Sequence, residues 1–203
     1  NMLALLGWNP GTEQEIFSLK ELINTFSLER VNKAGAKFDP EKAKWFQHQY
    51  LQELNEETLV SQFTNLLGSK NVFPSIDVAK IVSLVKERAT FVSDLWEQSS
   101  FFFEGPKTYD EKAAQKSFKE DTPQLLQKVV DILNEIDDFS ASTLSDKVKG
   151  WITKEGIGFG KVMMPLRLSL VGEMKGPDVF EIIAILGKKE AVERIQKAIQ
   201  SIG

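Results

Sequence analysis

Apolar residues along this chain recur every three or four positions and seldom alternate, so the pattern predicts helices and little strand. Val78, Ile81, Val82, Val85, Ala89, Val92, Leu95 and Trp96 form one stripe, which predicts a single long amphipathic helix over residues 75–99. Thr122-Pro123 opens another helix, with Leu126, Val129, Leu133 and Ile136 on one side. Leu144, Val148, Trp151 and Ile152 mark a shorter one, which Gly156 can close in a left-handed conformation. Upstream, Ser18-Leu-Lys-Glu21 fits a capping box. Asp39-Pro40-Glu41 supplies a cap, a first-turn proline and an acid for the positive helix end, ahead of Trp45, Phe46, Tyr50, Leu51 and Leu54. In the last quarter Gly156, Gly158 and Gly160 predict a loop, and Pro165 opens a short apolar segment that stops at Gly172. Gly176-Pro177-Asp178 starts a further helix that Gly187 ends, and Ala191 to Ile202 forms the last. The expected fold class is all-α, with nine or ten helices and room for short strands only near Val31 and Phe101–Phe103.

Composition narrows the class. The 203 residues are 42% hydrophobic and 27% charged, which sets aside disorder, collagen and coiled coil. No apolar stretch nears the roughly 20 residues of a membrane span, and no basic run followed by an apolar one suggests a signal peptide. A soluble, cytoplasmic protein is expected, without a membrane partner. Cysteine is absent, which excludes disulfides, thiol catalysis and thiolate metal sites. His48 is the one histidine, so no multi-histidine metal site exists either. The net charge is −4, yet residues 147–203 carry ten basic against six acidic side chains. A locally positive region on an acidic protein suits contact with phosphate, although lysines on solvated helix faces give the same count. No period of 20 to 50 residues recurs, which argues against a solenoid. Composition shifts near residues 55–60 and 104–110 divide the chain into three modules.

Catalytic chemistry is missing. His48 has no nucleophile to serve, and on a helix beside Phe46 and Tyr50 it fits a surface or half-buried role. Gly156-Ile-Gly-Phe-Gly160 lacks the preceding strand and the lysine–hydroxyl pair of a phosphate loop. Asp137 and Asp138 are adjacent, so on a helix they point about 100° apart and form no acid–base pair. The expected assignment is no catalytic residue, no metal ligand and no cofactor in this chain.

Three stretches, in order, resemble one family. LALLGW with the following NPG and EIFSLKELINTFSLERVNKAGAKFDPEKAKWFQHQYL, then VKERATFVSDLWEQSSFFF, then GKVMMPLRLSLVGEMKGPDVFEIIAILGKKEAVERI are similar to bacterial glutamyl-tRNA synthetases, class I aminoacyl-tRNA synthetases. The resemblance runs from Leu3 to about Ile195. It implies a tRNA-contacting helical module over residues 1–57 and two anticodon-binding helical bundles over 58–108 and 109–203. It also implies what is absent: the histidine signature and the lysine loop that handle ATP in that family. A complete enzyme of this kind would be a glutamate–tRNA ligase using ATP and Mg²⁺, and this chain would be its C-terminal tRNA-binding part. Truncation there is expected to leave Leu3, Leu6 and Trp8 poorly covered.

The resemblance also nominates residues. Single-stranded anticodon bases are read by hydrogen bonds and stacking, which the planar arginine fork supplies. Arg167, in the proline-leucine-arginine motif, matches the family's anticodon arginine, and no acid lies between Val162 and Gly172 to pair it. Gly176 and Pro177 match a turn beside the anticodon; some family members carry threonine where Gly176 stands, so here only backbone groups are offered. Val179 matches an apolar position that packs on a base, though ordinary helix core explains it equally. The amides of Asp178 and Val179 fall at a helix start, suited to a base carbonyl. Arg88, in ERATF, is the best match to an arginine that reads the first anticodon base, though an exposed helix arginine pairing with Glu87 or Asp94 explains it equally. Among Arg30, Lys33, Lys37 and Lys42, the candidates for the tRNA backbone are Arg30 and Lys33, and Trp45 fits core better than a base platform. The implied partner is glutamate-accepting tRNA, with acceptance of glutamine tRNA left open, and the implied state is a monomer. The alternative is an acidic all-α scaffold that binds another protein through an apolar groove.

Overall fold

The computed structural model describes residues 1–33 and 35–202. Most helices begin where a side-chain oxygen is ready to take the first free amides. After α1 (Met2–Gly7), Ser18 opens α2 (Leu19–Thr25): its Oγ accepts from the Glu21 amide (3.2 Å), and Glu21 Oε2 accepts from the Ser18 amide (2.7 Å). Asp39 opens α3 (Pro40–Glu53), Asn55 opens α4 (Glu56–Ser69) and Asp77 opens α5 (Val78–Val85), each by accepting from amides of the first turn. α6 (Val92–Phe103) starts on Asp94, whose Oδ2 accepts from the amides of Thr90 (2.9 Å) and Phe91 (3.0 Å). Asp110 caps α7 (Glu111–Ser117), Pro123 sits in the first turn of α8 (Thr122–Glu135), and Ser140 caps α9 (Ala141–Lys154). Gly156, at φ 65°, turns the chain toward α10 (Phe159–Val171), and α11 (Val179–Ile202) follows, broken at Gly187 (φ 77°, ψ 164°). The architecture is all-α; none of these helices is long and apolar enough to cross a membrane.

Three expectations require correction. The long helix over 75–99 is two helices, α5 and α6, separated by a 3₁₀ turn at Lys86–Arg88. Asp94 takes the amides of residues 90 and 91 as a new helix start, which an unbroken helix would forbid. Phe101–Phe103 are helical, and near Val31 there is only an isolated antiparallel bridge to Trp8. Pro165 lies inside α10 and does not open a segment, so Gly160 is helical as well. A proline inside a helix costs about 3 kcal/mol or more. Burying Val162, Leu166, Leu168 and Leu170 completely offsets that, at roughly 1.5–3 kcal/mol for each side chain.

Two apolar cores result. The smaller gathers Leu51 from α3, Leu59, Phe63 and Leu67 from α4, Val82 and Val85 from α5, Ala89, and Leu95 from α6. The larger is built on α8, α9, α10 and α11, with Leu126, Leu133, Leu144, Ile152, Leu166, Phe180 and Ile195 fully or almost fully buried. α6 belongs to both, because Leu95 faces the smaller core while Phe101 and Phe102 enter the larger one. Phe103 lies at the seam, 6.1 Å from the Phe63 ring and stacked on Trp96 at 6.0 Å.

Arg194 of α11 ties this seam together. It is 5% exposed, and its Nη1 donates to the carbonyls of Phe101 (2.6 Å) and Leu170 (2.9 Å), one near the C-terminus of each of α6 and α10. At Gly172 (φ 84°) α10 ends against the 105–110 turn: a Cβ there would stand 2.8 Å from the Thr108 carbonyl oxygen and 2.9 Å from Pro106 Cβ. The Asp110 amide donates to the Gly172 carbonyl (2.8 Å) and fastens the contact.

The first helices cover themselves less well. Leu3, Leu19, Ile23, Phe26 and Leu28 are 53–79% exposed, and Leu6 is half-buried. Trp8 departs from expectation: it is 3% exposed, packed edge-on against Phe17 at 6.3 Å.

Candidate nucleic-acid interface

Arg167 projects from the most apolar stretch of α10, between the fully buried Leu166 and Leu168. It is half-buried, and its Nη1 donates to the Lys175 carbonyl (2.9 Å), so the guanidinium holds the turn that leads into α11. Burial pulls its pKa below the ordinary arginine value; Asp178 opposes that shift and the positive charge of Arg88 reinforces it. Arg167 makes no ion pair among the described residues. The missing acid between Val162 and Gly172 is replaced in part by Asp178 from the next loop.

Gly176 lies against the same guanidinium, with φ 104°. A Cβ there would come 3.6 Å from Arg167 Nη1 and 3.2 Å from Phe101 Cζ. Phe101 is therefore the wall behind the turn, a role that the run of three phenylalanines did not announce. Gly176→Thr is expected to cost about 1–3 kcal/mol, because a β-branched residue would occupy a conformation that L side chains avoid and press on that ring. Thermal melting checks it: the variant should melt several degrees below the parent chain.

Pro177 is buried, and Val179 is 2% exposed in the larger core. Of the two readings open for Val179, a base contact or ordinary helix core, its burial fits the core. Asp178 caps α11, its Oδ1 accepting from the Phe180 amide (2.8 Å).

Arg88 stands at the edge of the smaller core, next to Ala89. It ends the 3₁₀ turn that splits the predicted long helix, its side chain is exposed, and no described residue forms an ion pair with it. Arg88 and Arg167, 79 positions apart in sequence, thus come within electrostatic reach of one another. Arg30 and Lys33 belong to a different region. Arg30 Nη1 donates to the Pro10 carbonyl and lies over Gly11, while Lys33 is exposed.

The positive balance of residues 147–203 has largely local causes. Lys161 and Lys175 pair with Asp121 (2.9 Å) and Glu173 (3.0 Å). Lys188 donates to the carbonyls of Asn134 (3.1 Å) and Ile136 (2.7 Å), Lys197 to that of Pro106 (3.2 Å), and Lys149 lies 5.3 Å from the Phe180 ring centre. Much of that charge serves helix ends, where cations are favourable. Among the described residues no group of three or more His, Asp or Glu side chains could hold a metal ion.

A half-buried arginine without an acid bonded to it, set against a glycine-built turn, fits recognition of acceptor-rich, unstacked groups better than catalysis. Residues 36–199 match the family described as an anticodon binding domain. The chain belongs to that family. Glutamate–tRNA ligases of Flavobacterium johnsoniae and Porphyromonas gingivalis are 53% and 45% identical to it, each alignment covering 100% of this chain and 40% of the relative. A crystal structure of a glutamate tRNA ligase from Elizabethkingia meningosepticum in complex with its amino acid superposes with a TM-score of 0.94 at 45% identity, over 100% of this chain and 40% of that one. The resemblance to glutamyl-tRNA synthetases drawn from three motifs therefore holds over the whole chain, which spans 40% of the length of these relatives. Within this anticodon-binding domain Gly176 lies against the Arg167 guanidinium and Arg88 is within electrostatic reach of it, whereas Arg30 and Lys33 lie outside residues 36–199.

Proposed function

We propose that this chain is the tRNA-binding part of a glutamate–tRNA ligase and that it reads the anticodon of glutamate-accepting tRNA. What supports the proposal is the match of residues 36–199 to an anticodon binding domain, together with a half-buried Arg167 guanidinium that lies against the Gly176 turn with no acid bonded to it. Arg88, exposed and without an ion pair among the described residues, is close enough to act on Arg167 electrostatically, and an acceptor-rich ligand bound to either guanidinium offsets that positive charge. Arg167 and Arg88 contact bases; the turn at Gly176 and Pro177 offers backbone groups; Arg30 and Lys33 meet the tRNA backbone in a separate module. Residues 1–57, 58–108 and 109–203 act as the stem-contacting module and two anticodon-binding bundles. Glutamate activation with ATP and Mg²⁺ belongs to the portion outside this chain, and the complete enzyme is a cytoplasmic monomer.

A gel shift with total tRNA at low and moderate salt tests this. A base-reading, acidic protein should shift the tRNA with a shallow salt dependence and lose affinity when the anticodon is changed. No shift at either salt would remove the tRNA reading and leave the protein-binding scaffold.

A further inference from the structure

We infer that His48 and Gln52, on α3, are positioning residues for Arg88 and so contribute to base specificity without touching the tRNA. This rests on the proposal that Arg88 contacts an anticodon base. The Lys86–Arg88 turn is three residues long and has one repeating bond of its own, from the Ala89 amide to the Lys86 carbonyl (3.0 Å). Such a short 3₁₀ turn has little intrinsic stability, so neighbouring elements must fix its orientation.

α3 does so at both ends of the turn. Gln52 Nε2 donates to the Lys86 carbonyl (2.9 Å), and His48 Nδ1 lies 2.8 Å from the Ala89 carbonyl. A carbonyl only accepts, so the proton of this bond sits on Nδ1. Lys86 completes the clamp by donating from Nζ to the Leu54 carbonyl at the end of α3 (3.0 Å). These partners are 32 to 41 residues apart in sequence, and all bracket Arg88, whose own side chain stays exposed. His48 and Gln52 are one helical turn apart on α3 and grip backbone, so they set where the Arg88 Cα stands and leave its fork to the ligand.

Binding of a cognate anticodon stem-loop, and of loops with each anticodon base changed in turn, tests the inference on the 203-residue chain. Arg88→Ala should abolish discrimination at one position. His48→Ala should weaken discrimination at that same position by about fivefold or more, leave the other two positions unchanged, and add nothing in the Arg88→Ala background. His48→Asn, whose amide nitrogen falls where Nδ1 does, should restore discrimination, and His48→Gln, whose donor sits one bond further out, should not. Should His48→Ala fail to fold, the Asn and Gln variants decide by that contrast. Full discrimination in His48→Ala or His48→Gln alongside its loss in Arg88→Ala would overturn the positioning role alone. Full discrimination in Arg88→Ala would overturn the reading of Arg88, and the positioning role with it.

Discussion

Replacing Arg194 with alanine is expected to lower the melting temperature by roughly 6–20 °C, taking about 2–4 °C per kcal/mol for a chain of this size. The side chain is 5% exposed and donates to two carbonyls that sit near the C-termini of different helices. Neither carbonyl has an intrahelical donor available, so truncation leaves two buried acceptors at roughly 1–3 kcal/mol each. It also removes the guanidinium partner of Glu190 (2.7 Å), which stays partly solvated and contributes little. Together these give about 3–5 kcal/mol, the usual cost of removing one member of a buried charged group. Arg194→Met, which keeps the apolar stem, should recover packing but not the two hydrogen bonds and so fall between alanine and the parent. Differential scanning calorimetry decides it. Equal melting of the parent and Arg194→Ala would mean that the α6 and α10 ends are held by something else.

Arg167→Ala is expected to weaken binding of the cognate anticodon stem-loop by about ten- to hundredfold, the equivalent of the roughly 1–3 kcal/mol that a bidentate arginine–base contact supplies. It should also flatten the preference over an altered anticodon. Two effects combine. The fork proposed to contact the bases is lost, and the Lys175 carbonyl loses the donor that fixes the turn at Gly176. Arg167→Lys separates them, since a single ammonium can still reach a carbonyl but cannot bond two acceptors in one plane. Lys175→Ala, which removes an ammonium paired with Glu173 and leaves the 175 carbonyl in place, should leave the preference between cognate and altered loops unchanged, because charge contacts to phosphate carry no base information. Isothermal titration with both loops, after a melting check on each variant, measures all three. A folded Arg167→Ala chain with undiminished preference would exclude this residue from base reading.

Helix starts were the most legible part of the chain. Ser18, Asp39 and the Thr122-Pro123 step act locally, within four residues, and each stands where the pattern puts it. Gly187 and Gly172 were legible for the same reason, since a left-handed residue leaves a mark at its own position. The break after Val85 was not legible. Val82, Val85, Ala89 and Leu95 are buried whether one helix or two carries them, so the apolar period continues across the interruption. Only Asp94, three residues past the cap at Phe91, betrays it. Pro165 misled in the opposite direction, because a burial term summed over four neighbours outweighs a penalty confined to one residue.

The candidate site was legible as side chains and hidden as geometry. Arg167 and Gly176 followed from the family motif, but the Lys175 carbonyl that anchors one to the other is backbone and has no residue signature. Val179 shows the limit from the other side: the same apolar residue type serves a core or a base, and here the larger core takes it. The charge of residues 147–203 pointed toward phosphate more strongly than the structure warrants, since Lys188 and Arg194 answer helix carbonyls that a count of acids cannot include.

Gly172 has a bearing on how such sequences can drift. Its missing side chain is the space in which the Thr108 carbonyl and Pro106 sit, at separations no real Cβ tolerates. A lineage cannot exchange this glycine by a single step while keeping the 105–110 turn, nor restore the fit by trimming a side chain, because one of the two obstacles is main chain. Replacement at 172 must therefore arrive together with an insertion, deletion or reshaping of the turn around 106–108. The two segments, more than sixty positions apart, are bound to co-vary as a pair.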